Sequence, residues 1–390
     1  MKVLFIHNFY QLAGGEDAVF ANEVALLKNN GHEVIIHTVD NATITNFFDK
    51  FCLLFNTIFS FSQYNKVKHL LQTELPAVVH VHNYFPLISP SVFYACKKCN
   101  IPVIHTLHNY RAVCPTALLM YDGEINEKSI HGNAWWSVAK KVYRNSFIGS
   151  LVLACMVESH KFLGTWQTKV NFFIALTEFA KIKYIEAGWP AEKILVKPNF
   201  IEVPSDSSVP ASKVGSYAIF VGRLSEEKGI DILLAAWTRV DLPLKIIGDG
   251  PLKNHIVSKP SASIEYLGLK KKDEVLGLIQ TADFIIMAST CYEGFPIVLL
   301  EAFACGTPAL VPCLGSMGEI VESNIIGLHF EAGNATDLAD KAQWMIDNPA
   351  AIKQMGVNAR KEYLAKYTPE KNHEILMDIY QQAIAQAKTG

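Results

Sequence analysis

The feature that most constrains this chain is an alternation that runs through it twice: short apolar stretches of strand length, separated by segments long enough for a helix. In the first half the stretches are residues 3–6, 33–37, 77–81 and 102–105. Continuous apolar runs need cover on both faces, and a parallel sheet wrapped by crossover helices provides it. Between the first two runs, residues 16–30 carry Val19, Phe20, Val24 and Leu27 at helical spacing, and Gly31 follows as a stop.

Residues 202–216 interrupt the pattern with two prolines, five serines and no apolar periodicity, which predicts a linker. The alternation then restarts, with strands expected at 217–221, 244–247, 264–267 and 284–288. Residues 368–388 read as one long helix opened by Thr368 and Pro369. A chain of 390 residues exceeds what a single core usually serves. The economical architecture is α/β, with two Rossmann-like, doubly wound domains facing across a cleft. The expected divisions are a first domain over 1–201, the linker, a second domain over 217–367, and a terminal helix over 368–390 packing back toward the first. Ligands of such sheets bind beyond the carboxyl ends of the strands, so chemistry is expected on the loops there.

Half of the residues are hydrophobic and 18% are charged, which excludes disorder as the general state. A formal net charge of −2 leaves no basic field for a nucleic-acid backbone, so nucleic acid is not an expected partner. The opening MKVLFIHN is too short in apolar content for a signal-peptide core. Eight cysteines without disulfide-scaffold spacing fit a reducing cytosol, and the Cys96/Cys99 pair, lacking a second pair at zinc-finger spacing, reads as a helix end.

The strongest chemical signal is residues 291–301, CYEGFPIVLLE, which follow an expected strand, turn at Gly294 and enter a helix with Pro296 expected at its first position. Proline there sacrifices no needed donor, while the amides of Ile297 and Val298 are left free at the helix start. That is an anion site suited to a diphosphate. Glu293 before the helix and Glu301 within it place carboxylates on either side, and a carboxylate accepts well from paired hydroxyls. Alone, the segment also fits an ordinary strand, turn and helix with one solvated and one capping glutamate.

With this pattern the chain resembles glycosyltransferase family 4, the retaining enzymes of the two-domain GT-B fold, whose signature is two glutamates separated by seven residues. Glu293 and Glu301 match it, and Glu293, Gly294 and Phe295 reproduce its Glu-Gly-Phe; Pro296 stands where many members have glycine. The resemblance implies that Glu293 meets the transferred sugar and Glu301 the ribose. It further implies that Arg223 and Lys228, in the loop GRLSEEKG from Gly222, contact the donor diphosphate, where a guanidinium and an ammonium neutralise charge on the leaving group. Gly14 and Gly15, after the first strand, match the family's glycine-rich loop, which faces donor phosphate and acceptor. No G-x-G-x-x-G follows Ile6, which argues against a dehydrogenase. His108 falls where related enzymes place a histidine near the donor sugar; His80, His82 and His105 are expected to be structural or acceptor-lining. No Asp-x-Asp metal motif is present, so no metal and no cofactor is expected beyond the nucleoside diphosphate sugar substrate.

Residues 47–64, with six phenylalanines, and 140–166, whose apolar stretch 147–157 is flanked by Lys140, Lys141, Arg144 and Lys161, stand apart from a plain globular pattern. A stretch of eleven residues does not span a bilayer. Two readings stand: buried helices of the first domain, or amphipathic helices that lie on a membrane or line a groove for a lipid-linked acceptor.

The expected function is transfer of a hexose from a nucleoside diphosphate sugar to a glycan, lipid-linked or small-molecule acceptor, with retention, in surface polysaccharide or glycoconjugate biosynthesis. The expected place is the cytoplasm, either free or associated with the inner face of the cytoplasmic membrane. The alternatives are an epimerase or phosphorylase of the same fold, or a non-catalytic sugar-nucleotide-binding protein.

Overall fold

The computed structural model describes residues 1–11, 14–43, 47–203, 216–258 and 262–389. Most of the expected linker, 202–216, falls outside the described residues. The chain divides into two compact units, one of Met1–Tyr121, Asn126–Asn199 and Asn372–Gly390, the other of Asp122–Ile125 and Phe200–Lys371.

The first unit is built on β1 (Lys2–Phe9), β2 (Glu33–Asp40), β3 (Val78–Val81), β4 (Val103–Leu107), β5 (Phe172–Ala175) and β6 (Ile194–Val196). Their order among the described residues is β2-β1-β3-β4-β5-β6, and neighbouring strands pair in parallel. Val3 to Ile6 are fully buried, as a central strand covered on both faces requires. Helix Gly15–Asn29 crosses from β1 to β2; Asp17 in its first turn accepts from the Gly14 amide at 3.0 Å, and the chain leaves through Gly31 at φ +75. Its buried face carries the expected Val19, Phe20, Val24 and Leu27, together with a glutamate, Glu23.

The terminal helix, Pro369–Thr389, seats Leu376, Ile379, Tyr380 and Ala383 in the same core as Val3, Phe5, Phe20, Leu27, Val78 and Ile104. Residues 47–64 hold parts of two helices, Phe47–Asn56 and Phe61–Glu74, and 140–166 centre on Phe147–Phe162. That last helix buries Leu153, Ala154, Met156 and Val157 and exposes Phe147, Ile148 and Leu151, so its apolar stretch is divided between core and surface. Among the described residues no helix is long and apolar enough to cross a membrane.

The second unit repeats the plan with β7 (Ala218–Val221), β8 (Leu244–Ile247), β9 (Ile264–Gly268), β10 (Phe284–Ile286), β11 (Ala309–Pro312) and β12 (Gly327–Phe330). The order β9-β8-β7-β10-β11-β12 is parallel throughout. Strand order reverses between β7 and β10, and between β1 and β3 in the first sheet. At such switch points the loops leave in opposite directions and open a crevice for ligands.

Candidate active site

In the second unit the two loops at the switch point are the two that carry the sequence motifs. After β7 the chain runs through Gly222 and Arg223 into a short 3-10 turn, Glu226–Lys228. This loop is clamped on both sides. The Leu224 amide donates to Asp249 O at 2.9 Å, and the Thr290 amide donates to Glu227 O at 3.0 Å. Two glycines permit the fit: a Cβ on Gly229, itself at φ +68, would stand 1.9 Å from Ala288 O, and one on Gly248 would stand 1.8 Å from Gly222 O. The Gly222 amide donates to Ile247 O at 3.0 Å and is therefore engaged in the sheet rather than open to a ligand.

The clamp delivers Lys228 to Glu293. Lys228 Nζ lies 2.5 Å from Glu293 Oε1, and the same oxygen accepts from Ser289 Oγ at 2.6 Å. Burial alone would pull the lysine down, but the charge and hydrogen bond of Glu293 outweigh it and hold Lys228 above its usual value, so the ammonium is retained at neutral pH. Arg223 is exposed, and its guanidinium has no hydrogen bond or ion pair among the described residues.

Pro296 is not the first helical residue, as expected from the sequence, but the N-cap: its ψ of 108 is extended and helix Ile297–Ala304 begins one residue later. The ring fixes φ without committing ψ, so proline fits either place. The consequence for the amides is unchanged, because Ile297 and Val298 have no backbone acceptor among the described residues, whereas the Leu299 amide bonds Pro296 O at 3.1 Å. The Phe295 side chain is buried edge-on to Tyr367, ring centroids 6.0 Å apart, which leaves its main chain and Gly294 as the parts able to meet a ligand. Glu301 is half-buried, and burial raises its carboxyl above the ordinary range against the opposing pull of Lys272.

In the first unit, Gly14 and Gly15 are exposed with open space where a Cβ would stand. Next to them Glu16, which sequence reasoning passed over, has Oε1 accepting from Asn83 at 2.9 Å and Oε2 from Asn109 at 3.2 Å. Burial, reinforced by the charge of Asp17, pushes its carboxyl up to about 8. Its position directly after the glycine pair was the available signal. His108 follows β4 and is half-buried; its Nε2 lies 3.0 Å from His82 Nδ1. His80, His82 and His105 are buried. His80 is held by Tyr380 OH at 2.8 Å and Thr106 Oγ1 at 2.7 Å, and His105 by Val81 O at 3.0 Å. Cys96 is buried near the end of helix Ser91–Cys99, with Cys99 half-buried at its last position.

Two family models match this chain: Glycosyltransferase Family 4 over residues 13–203, and Glycosyl transferases group 1 over residues 207–362. The chain belongs to glycosyltransferase family 4. An uncharacterized glycosyltransferase of Methanocaldococcus jannaschii is 36% identical over 160 residues, 40% of this family 4 chain and 45% of that protein. The N-acetyl-alpha-D-glucosaminyl L-malate synthase of Bacillus anthracis is 26% identical over 206 residues, 51% and 53% of the two. The chain thus spans about half the length of the curated relatives it matches. Anabaena HepE, solved in complex with UDP and glucose, shares the fold at a TM-score of 0.65 and 17% identity, covering 98% of this chain and 100% of that one. The fold is GT-B.

Proposed function

We propose that this protein transfers a hexose from a nucleoside diphosphate sugar to a glycan, lipid-linked or small-molecule acceptor, with retention of anomeric configuration, in surface polysaccharide or glycoconjugate biosynthesis. The observation that carries the reading is the Lys228–Glu293 contact at the switch point of the second sheet, one helix start away from the free amides of Ile297 and Val298. A diphosphate offers Lys228 a stronger anion than the carboxylate it now holds, and drawing the ammonium aside frees Glu293 to accept from sugar hydroxyls. Arg223, without a hydrogen-bond or ion-pair partner among the described residues, is available to the same phosphates, and Glu301 to the ribose.

As the glycosidic bond breaks, negative charge gathers on the departing β-phosphate. Lys228, Arg223 and the helix amides oppose that charge, so no metal is needed for this step. The same phosphate takes the proton of the incoming hydroxyl on the face it leaves, which yields retention. His108 has an active-site role in the first unit. Donor binding by HepE, solved with UDP and glucose, supports a uridine nucleotide as the first candidate.

The acceptor side lies in the first unit, at the inner face of the membrane. Exposed Phe147, Ile148 and Leu151 follow directly on exposed Lys140, Lys141 and Arg144, the pairing of apolar and basic groups that suits anionic lipid. A hollow lined by Phe59, Phe61, Tyr64, Tyr94, Lys97, Lys98 and Lys169 has the same character.

The test is thermal: nucleoside diphosphates are screened for stabilisation, where a ligand at 100 times its Kd adds about 2.7 kcal/mol. The matching sugar nucleotides are then incubated with acceptors, and the anomeric configuration of the product is read by NMR. No stabilisation by any nucleoside diphosphate would sink the reading, and donor turnover without acceptor would favour an epimerase.

A further inference from the structure

A buried chain of polar groups runs behind His108. Its far end is Lys197, whose ammonium donates to Glu23 Oε1 at 2.6 Å and to Asn372 Oδ1 at 3.2 Å, with Lys197 and Glu23 both fully buried. The other oxygen, Glu23 Oε2, stands 3.3 Å from His82 Nε2 and 3.7 Å from His80 Nδ1, and neither Glu23 Oε2 nor His82 Nε2 completes a hydrogen bond of ordinary geometry among the described residues. Two buried polar atoms left without partners are costly, and at this separation each is placed to relieve the other. The far side of the same imidazole, His82 Nδ1, is the atom 3.0 Å from His108 Nε2.

The protons in this chain are determined by chemistry. Glu23, facing an ammonium, is the carboxylate and can only accept. His82 Nε2 therefore carries hydrogen. Lys197 already balances Glu23, so a second positive charge on His82 would be buried without a counterion; the ring is neutral and its Nδ1 accepts. His108 Nε2 must then donate to it. A neutral His108 with hydrogen on Nε2 has a bare Nδ1, and no group among the described residues bonds that nitrogen.

We infer that Glu23 is a positioning residue that, acting through His82, holds His108 in the Nε2-protonated form and presents its Nδ1 as a hydrogen-bond acceptor for a substrate hydroxyl. Glu23, His80 and His82 also place ligand-type atoms close together. A cation there would sit beside the Lys197 ammonium and would compete for His80, both of whose ring nitrogens are engaged. The electrostatics favour the proton chain over a metal.

The inference rests on the active-site role proposed for His108, and the experiment separates the two. Full-length protein labelled with 15N-histidine is recorded at neutral pH in a two-bond 1H–15N correlation spectrum, with His108 assigned by its loss in His108→Gln. The expected pattern is a protonated Nε2 and an unprotonated Nδ1 on His108. Hydrogen on His108 Nδ1, or on both nitrogens, overturns the proposal. Glu23→Gln and Lys197→Met are then combined, so that neither leaves a lone buried charge. His108 should become a mixture of both neutral forms, and kcat should fall about tenfold with little change in donor KM. Retention of the single form in that variant would remove Glu23 from the role. If the double variant does not fold, His82→Gln is read by the same spectrum with the same expectation. Undiminished transfer by His108→Gln would overturn the functional half of the proposal, independently of the proton assignment.

Discussion

Replacing Lys228 by alanine probes the donor site most directly. One ammonium at roughly 4 Å from a phosphate charge is worth about 4 kcal/mol at an effective dielectric near 20. Removing a donor aimed at developing charge in other enzymes lowers kcat by about 10²- to 10³-fold. Here the ammonium already holds Glu293 at 2.5 Å, so part of its attraction to phosphate offsets what it gives up. The lower end, about 10²-fold in kcat, is therefore expected. A stability loss accompanies it. The Glu293 side chain is only 12% exposed, and without Lys228 it keeps Ser289 Oγ at 2.6 Å, which puts the loss at about 1–3 kcal/mol. Combining Lys228→Ala with Glu293→Gln should restore much of that stability and none of the turnover. Initial rates at saturating donor, with differential scanning fluorimetry on the same samples, measure both. A folded Lys228→Ala protein transferring sugar at the wild-type rate would refute the diphosphate assignment.

Arg223→Ala, at an exposed residue, should leave the melting temperature unchanged while lowering kcat about 10²-fold, checked by the same pair of measurements. Gly229→Ala should lower Tm and weaken nucleoside diphosphate binding together, since its Cβ would collide with Ala288 O; calorimetric titration with UDP reads the second effect. Buried His7 and His105 are both lowered to about 4, chiefly by burial, with the bond to Asp17 opposing in His7 and that to Val81 O opposing in His105. In the unfolded chain they bind protons near 6.5, so stability is full above that pH and falls as pH drops toward 4. Urea titrations across that window should show the decline, and His105→Asn should shallow it. Joint replacement of Phe147, Ile148 and Leu151 by serine should abolish flotation with anionic liposomes, leaving donor turnover in solution intact.

Strand β1 and the first-turn glycines could be read from the sequence because a fully apolar run beside a helical period has few other interpretations. Strands β5, β6, β11 and β12 escaped notice, since runs of three or four residues, such as Ile194–Val196, are indistinguishable from pieces of buried helix. In the site, Arg223, Lys228, Glu293 and Glu301 were visible because they stand at fixed spacing around turn residues. Ser289 was not: one serine after a strand carries no pattern, and only the fold turns it toward Glu293. The Gly248-Asp249 segment, whose Asp249 O holds the basic loop, stands plainly in the sequence but belongs to a different strand end. Least visible was Glu23, which occupies the apolar face of a helix and finds its partner, Lys197, 174 residues away.

The terminal helix has a consequence for how the molecule is made. Leu376 and Tyr380 fill the core of the first unit, and Asn372 receives the Lys197 ammonium. The ribosome therefore releases residues 1–199 well before their core can close, and the second unit has its whole sheet available sooner. Released chains truncated after residue 371 should leave the first unit protease-sensitive and a chaperone client, while released chains carried past Ala383 protect it. The unit whose synthesis begins first is the one that matures last.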